Sequence, residues 1–177
     1  KDPLDTEVIW EDLYKSTFWA QNGGPVTFGA ISAIDVALWD IKAKYFGVPL
    51  YKLLGGKQRD KLRCYASQLQ FGWGPVRVGL TTAQEYADIA KKAVAEGYSA
   101  VKVDFFTFDR DGSRFNHEQM TRLLPAYYVN LVEERVAAVR EAIGSDVDLI
   151  MENHSNIDAQ GAVQLAKIVE KYNIFMF

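Results

Sequence analysis

The chain has a single cysteine, Cys64, in 177 residues. One thiol excludes an intrachain disulfide and any multi-cysteine metal site, and it fits a reducing cytoplasm. Surplus positive charge is lacking too. The formal net charge is −3, so nothing drives binding to nucleic acid or to an anionic membrane. No apolar run approaches the ~18 residues of a membrane span. Lys1-Asp2-Pro3-Leu4 lacks the basic-then-apolar profile of a signal peptide. Internal repeats and low-complexity tracts are absent as well. What remains is an ordinary globular composition, at a length that suits roughly one domain.

Helix and strand patterns can be followed along the chain. Asp2-Pro3 predicts a helix start, with aspartate as N-cap and proline at the first helical position. Val8, Ile9 and Leu13 follow at helical spacing. Gly23-Gly24-Pro25 breaks the pattern, so 16–27 reads as a loop carrying Phe18, Trp19, Gln21 and Asn22. Aromatics and amides there suit the lining of a substrate pocket; packing of Trp19 against a neighbour is the plainer alternative. A second helix is expected over 30–45, with Ile31, Ile34, Leu38 and Ile41 as its inward stripe and Gly47 to end it. Asp35 and Asp40 on that helix read as salt-bridge or capping partners before catalytic acids.

A short strand is expected over 62–67. The loop after it, 68–81, places Ser67, Gln68 and Gln70 where they could reach a polyol. Thr82-Ala83-Gln84-Glu85 is a capping box, and Tyr86, Ile89, Ala90, Ala93 and Val94 continue as a helix that Gly97 stops. The apolar run 98–105 is the next strand. On it Lys102 and Asp104 share a face, either as a salt-bridged strand end or as part of a site. The connection 105–128 is long enough for a lid or an oligomer contact, and a homo-oligomer is expected. Within it His117 reads as an exposed loop residue, and Arg110 and Arg114 as carboxylate binders or solvated cations. Val129, Val132, Val136, Val139 and Ile143 form a helix stripe, with Glu133, Glu134, Arg135 and Arg140 on its other faces. A further helix is expected over 159–172, and 174–177 begins a fourth strand. This alternation is the rhythm of a parallel α/β fold. Both ends look cut, which predicts a piece of a longer protein. A closed (β/α) barrel needs about 250 residues and does not fit here.

The stretch with the most chemistry is Leu149-Ile150-Met151-Glu152-Asn153-His154. An apolar run between a turn and a helix reads as a buried parallel strand, and it ends in a carboxylate, an amide and an imidazole. Strand alternation puts Glu152 and His154 on one face and Asn153 on the other. Glutamate and histidine together at such an end can hold a cation and move a proton. The bland alternative is a strand running out into a polar loop.

Two motifs carry a family resemblance. Gly29-Ala30-Ile31-Ser32-Ala33-Ile34-Asp35-Val36-Ala37-Leu38-Trp39-Asp40-Ile41-Lys42-Ala43-Lys44, followed by Gly47-Val48-Pro49-Leu50-Tyr51-Lys52-Leu53-Leu54-Gly55-Gly56, resembles the mandelate racemase and muconate lactonizing enzyme family of the enolase superfamily. The resemblance implies an α/β fold, part of a modified (β/α) TIM-type barrel preceded by the end of an α+β capping domain. Residues 1–56 would finish the capping region, and 57–177 would form the first half of the barrel, strands 1 to 4.

The resemblance also implies roles. Glu152 matches the first of three acidic Mg²⁺ ligands, the others lying beyond Phe177, with a glutamate expected within a few residues of it. Lys102 matches the first lysine of a family Lys-x-Lys, but Asp104 stands where the second, often a base, would be. Aspartate has a reference pKa of about 3.9 and is a weak base unless its site raises it, which sets Asp104 against a lysine-dependent racemase. His154, one residue beyond the ligand's neighbour, resembles the galactonate- and mannonate-type dehydratases, where this histidine is implicated at the leaving hydroxyl. The implied enzyme is a Mg²⁺-dependent hydro-lyase of sugar-acid catabolism. Proton loss next to the carboxylate gives a metal-stabilised enediolate, and departure of the 3-hydroxyl gives a 2-keto-3-deoxy acid. Catalytic candidates are then His154, Lys102 and Asp104; Gln68, Gln70, Trp19 and Asn22 are substrate-binding candidates. A racemase, epimerase or cycloisomerase of the same superfamily, or a non-catalytic binding or regulatory relative, remain the alternatives.

Overall fold

A computed structural model describes every residue except Thr17 and His117. The expectation for His117 therefore lies outside the described residues. The chain forms two compact units, Lys1–Leu62 and Arg63–Phe177.

The first unit is helical. Helix α1 (Thr6–Lys15) starts after Asp5, three residues later than the Asp2-Pro3 signal predicts. Asp2 instead closes a turn, its Oδ1 accepting from the Leu4 N–H at 2.8 Å. Helix α2 (Gly24–Tyr45) begins six residues earlier than expected, because Pro25 sits in its first turn, where a missing N–H costs nothing. Within 16–27 the residues Ala20–Asn22 form a 3₁₀ turn. Helix α3 (Leu50–Leu53) is a single turn after Pro49.

The expected inward stripe of α2 is a correction: only Ile31 and Ala43 are buried. Val26, Ile34, Val36 and Ile41 are all exposed, because the helix is apolar around its whole circumference and α1 covers one side of it. By length and composition α2 is also the one helix among the described residues able to cross a membrane, contrary to the expectation that no stretch came near. Asp35 stands near its middle, where a charge costs about 2.5–3.5 kcal/mol on insertion scales. Asp40 is an i,i+4 partner of Lys44, at 2.6 Å.

The second unit is built on three parallel strands in the order β1 (Ala100–Asp104), β2 (Asp148–Glu152), β3 (Ile174–Met176). Val101, Val103, Leu149 and Met151 are buried on one face of the sheet and Ala100 and Ile150 on the other, the pattern that marks a covered parallel sheet. The register pairs Asp104 with Glu152 at the strand ends. The strand expected over 62–67 shrinks to one bridge, Ala66 against Val101. Ala66 accepts from the Lys102 N–H at 2.7 Å and donates to Ala100 O at 3.0 Å. Residues Arg63 to Tyr65 are exposed, and Gln68 turns left-handed at φ 61°, so no longer apolar run exists to pair.

One helix leads into β1 and two connect the strands. Helix α4 (Ala83–Ala95) carries the complete capping box: Thr82 accepts from the Glu85 N–H and Glu85 accepts from the Thr82 N–H. Helix α5 (Ala126–Ile143) packs closely on α4 and buries Val129, Val132, Val136, Val139 and Ile143. Arg135 corrects the sequence reading, because it lies inside, fully inaccessible, rather than on a solvated face. Its guanidinium donates to Phe105 O, Phe108 O and Thr81 O at 2.8, 2.7 and 2.6 Å and lies over the Tyr86 ring at 5.0 Å. Helix α6 (Ala159–Val169) is capped by Asp158 and ends three residues early in a 3₁₀ turn, Glu170–Tyr172.

Among its described residues the long connection between β1 and α5 holds one short 3₁₀ turn, Glu118–Met120. It is pinned at both ends. Arg135 holds the carbonyls at its start. Near its end Leu124 and the Gln164 amide exchange two hydrogen bonds, at 2.8 and 3.2 Å. The Arg122 N–H also donates to Asp158.

Candidate active site

The parallel register decides what meets at the open end of the sheet. Asp104 and Glu152 are the last residues of adjacent strands and lie side by side. Lys102, two residues back on β1, reaches Glu152: its Nζ is 2.9 Å from Oε2, and it lies over the Tyr65 ring at 5.5 Å. Both side chains of that pair are about four-fifths buried, so their attraction is screened less than at a surface.

His154 arrives by another route than strand alternation. β2 ends at Glu152, and His154 and Ser155 follow with φ of 50° and 58°. Asn153 builds the turn. Its Oδ1 accepts from the Ser155 N–H at 3.0 Å, and its carbonyl accepts from the Asn156 N–H at 2.9 Å. The turn folds the imidazole back, so that Nδ1 lies 3.0 Å from Glu152 Oε1. Thus the two groups meet although His154 is not on the strand. The polar run Asn153 to Asn156 was the sequence signal for that turn. Gln68 is a third left-handed, non-glycine residue at the same place, and such backbone costs of order 1–3 kcal/mol where surrounding structure enforces it.

These groups line one pocket of about 380 Å³. Gln68, Gln70 and Phe71 contribute from the turn after Ala66; Asp104, Phe106 and Thr107 from the end of β1; Glu152, His154 and Asn156 from the end of β2. Arg114 and Phe115 complete the wall from the long connection. Gln70 is buried, and its Oε1 accepts from the Asp104 N–H at 3.3 Å. Trp19 and Asn22 belong to the first unit. There Trp19 is exposed and meets Phe18 edge-on at 5.4 Å, and Asn22 is exposed at the end of a 3₁₀ turn. The aromatic and Thr107 contributions had no signal in the sequence, because they depend on how distant loops fold together.

The two carboxyls are tuned in opposite directions. Burial pushes Asp104 up, ahead of the Phe106 N–H and the Thr107 side chain that pull it down; Glu152 adds to the rise and His154 opposes it. For Glu152, partial burial acts upward, but the hydrogen bonds from Lys102 and His154 and their charges prevail and hold it below the usual range. Adjacent carboxyls whose environments push them apart are a common mark of acid–base sites.

As a place for a divalent cation, the pocket offers Glu152, a hard oxygen donor at a strand end. Among the described residues no group of three or more ligating side chains gathers there. Glu152 therefore fits as one ligand of an octahedral oxygen shell and not as the whole of it.

Residues 85–177 match the enolase C-terminal domain-like family, and residues 1–55 match the N-terminal domain of mandelate racemase / muconate lactonizing enzyme. A D-gluconate dehydratase of Thermoproteus tenax is 40% identical over 172 residues, covering 97% of this chain and 31% of that protein. A D-mannonate dehydratase of Sphingomonas sp. (strain SKA58) is 31% identical over 188 residues, covering 99% and 44%. The crystal structure of a member of the enolase superfamily from Salmonella Typhimurium superimposes with a TM-score of 0.94 at 48% identity, covering 98% of this chain and 45% of that one. The chain thus spans less than half the length of these relatives.

Proposed function

Because the chain belongs to the mandelate racemase and muconate lactonizing enzyme family of the enolase superfamily, we propose that it is part of a magnesium-dependent acid-sugar dehydratase, a hydro-lyase. The observation that carries this reading is the pocket lined by Glu152, His154, Asp104 and Gln70, with Lys102 paired to Glu152 at the strand ends. Relatives named for the dehydration of gluconate and mannonate support it.

Glu152 would hold the magnesium ion in part, with the remaining oxygen ligands coming from beyond Phe177. The bound ion would supply positive charge beside the substrate carboxylate. Lys102 adds a second positive charge, fixed by Glu152 and Tyr65 before substrate arrives, where negative charge develops once the neighbouring carbon loses its proton. The base for that proton also comes from beyond Phe177. His154 gives a proton to the departing 3-hydroxyl, which leaves as water. Its Nδ1 is anchored on Glu152, so Nε2 is the nitrogen left for the leaving group. The enol that remains tautomerises to a 2-keto-3-deoxy acid. Asp104 holds the Phe106 N–H through its Oδ1 at 2.8 Å and so shapes the wall of the pocket. The lone cysteine is in keeping with a reducing compartment.

The test is to assay the full-length protein with Mg²⁺ against aldonic and aldaric acids for 2-keto-3-deoxy products. His154→Asn is expected to lower kcat by about 10²–10⁴-fold, the range for loss of a general acid, while Mn²⁺ affinity changes much less. Turnover that survives this substitution would remove His154 from the mechanism. Proton exchange without water loss would point to a racemase or epimerase, and neither turnover nor metal binding to a binding protein.

A further inference from the structure

We propose that Arg114 selects substrates carrying a second carboxylate, at the end of the molecule away from the reacting one; this rests on the dehydratase reading for which end reacts. Arg114 lies on the wall of the same pocket and is the one lysine or arginine among its described lining residues. Its guanidinium carbon sits 5.7 Å from the centre of the Phe71 ring and 5.5 Å from that of Phe108. Those two rings meet edge to face at 5.7 Å. The backbone of Arg114 pairs with Phe108 in an antiparallel bridge, so main chain and side chain are both held.

The support continues one layer further. Phe108 is buried, and its ring occupies space that a side chain at position 79 would fill: a Cβ on Gly79 would come within 2.8 Å of the ring. Arg114 is thus a positioned cation, yet among the described residues no carboxylate pairs with it. Glu152 is taken by Lys102 and His154, Glu134 by Arg110. A guanidinium lying over aromatic rings keeps its planar N–H edge for a ligand, and that edge matches a carboxylate with two parallel hydrogen bonds. Two positive groups therefore stand at opposite sides of this site, Lys102 behind Glu152 at the strand ends for the reacting carboxylate and Arg114 on the pocket wall. A sugar diacid satisfies both; a sugar monoacid leaves Arg114 unpaired.

The test uses full-length protein with Mg²⁺ and matched pairs of six-carbon aldarates and aldonates across the hexose configurations. Kd is read by stopped-flow tryptophan fluorescence before product accumulates. The best-bound compound is expected to be an aldarate, at least ~10-fold tighter than its aldonate. Arg114→Gln should bring the two within about 3-fold of each other while leaving the thermal transition unchanged, since the side chain is exposed. Arg114→Lys should keep part of the preference, as a charge without the planar fork. Equal binding of both acids, a preference that survives Arg114→Gln, or no binding of any pair would each overturn the assignment. An Arg114-dependent preference with no 2-keto-3-deoxy product keeps the selectivity and removes the dehydratase.

Discussion

Arg135 carries its charge into the core with only carbonyls and an aromatic face to meet it. Three carbonyls depend on it, and burial lowers its pKa from the ordinary arginine value. Burial also pushes the Tyr86 hydroxyl beneath it up to about 12. Arg135→Met should therefore cost at least about 3 kcal/mol, because each buried carbonyl left without a donor costs about 1–3 kcal/mol; urea unfolding of the full-length protein measures it. In sequence, Arg135 was indistinguishable from its solvated neighbours Glu133 and Glu134, since periodicity says where a residue points and not what waits there. His154 shows the reverse case. Its type and its nearness to Glu152 were legible, but the left-handed turn that brings it back was not, because strand alternation gave a simpler route to the same meeting.

At the scale of the element, the capping box of α4 was fully legible, because all of its partners lie within four residues. Its Glu85 is held below the usual carboxylate range chiefly by the Thr82 N–H, with the Thr81 N–H next. A depressed carboxyl gives stability that is present above the unfolded pKa, about 4.3, and is lost as pH falls through the lower folded value. Glu85→Gln should keep most of the cap at pH 7 and flatten that acid-side loss in thermal melts run between about pH 6 and 3. Thr82→Ala should cost about 1 kcal/mol at neutral pH. The strand expected near Ala66 failed for the opposite reason: its extent depends on pairing with residues more than thirty positions away. The connection after β1 was legible only as a long loop. Its order comes from distant anchors, Arg135 at one end and Gln164 at the other. Gly79→Ala should displace the Phe108 ring and cost about 1–3 kcal/mol, as overpacking does; a loss of stability with no change in pocket ligand binding would show that Phe108 moves without taking Arg114 with it.

For the whole molecule, the alternation of strand and helix in the second unit followed from apolar periods and glycine stops, and those survive the loss of one strand to a bridge. The burial of α2 did not follow, because periodicity cannot assign an inward face to a helix apolar on every side. The end of the first unit is an exposed segment without regular structure, with Lys57, Arg59 and Lys61 all accessible. Limited trypsin digestion followed by mass spectrometry should cut there first, before any site within α4 or α5; early cleavage inside those helices would contradict the division. The pocket itself draws on residues 68–71, 104–107, 114–115 and 152–156. No one of these segments holds the chemistry alone, and the closures between them span tens of residues. During synthesis, then, β1 and its lysine emerge well before the glutamate and histidine they serve. A ribosome-bound chain that has not yet extruded the segment ending at Asn156 has Lys102 without its counter-charge. That interval is when this chain most needs protection from aggregation, and stalling experiments placed either side of Asn156 would time its end.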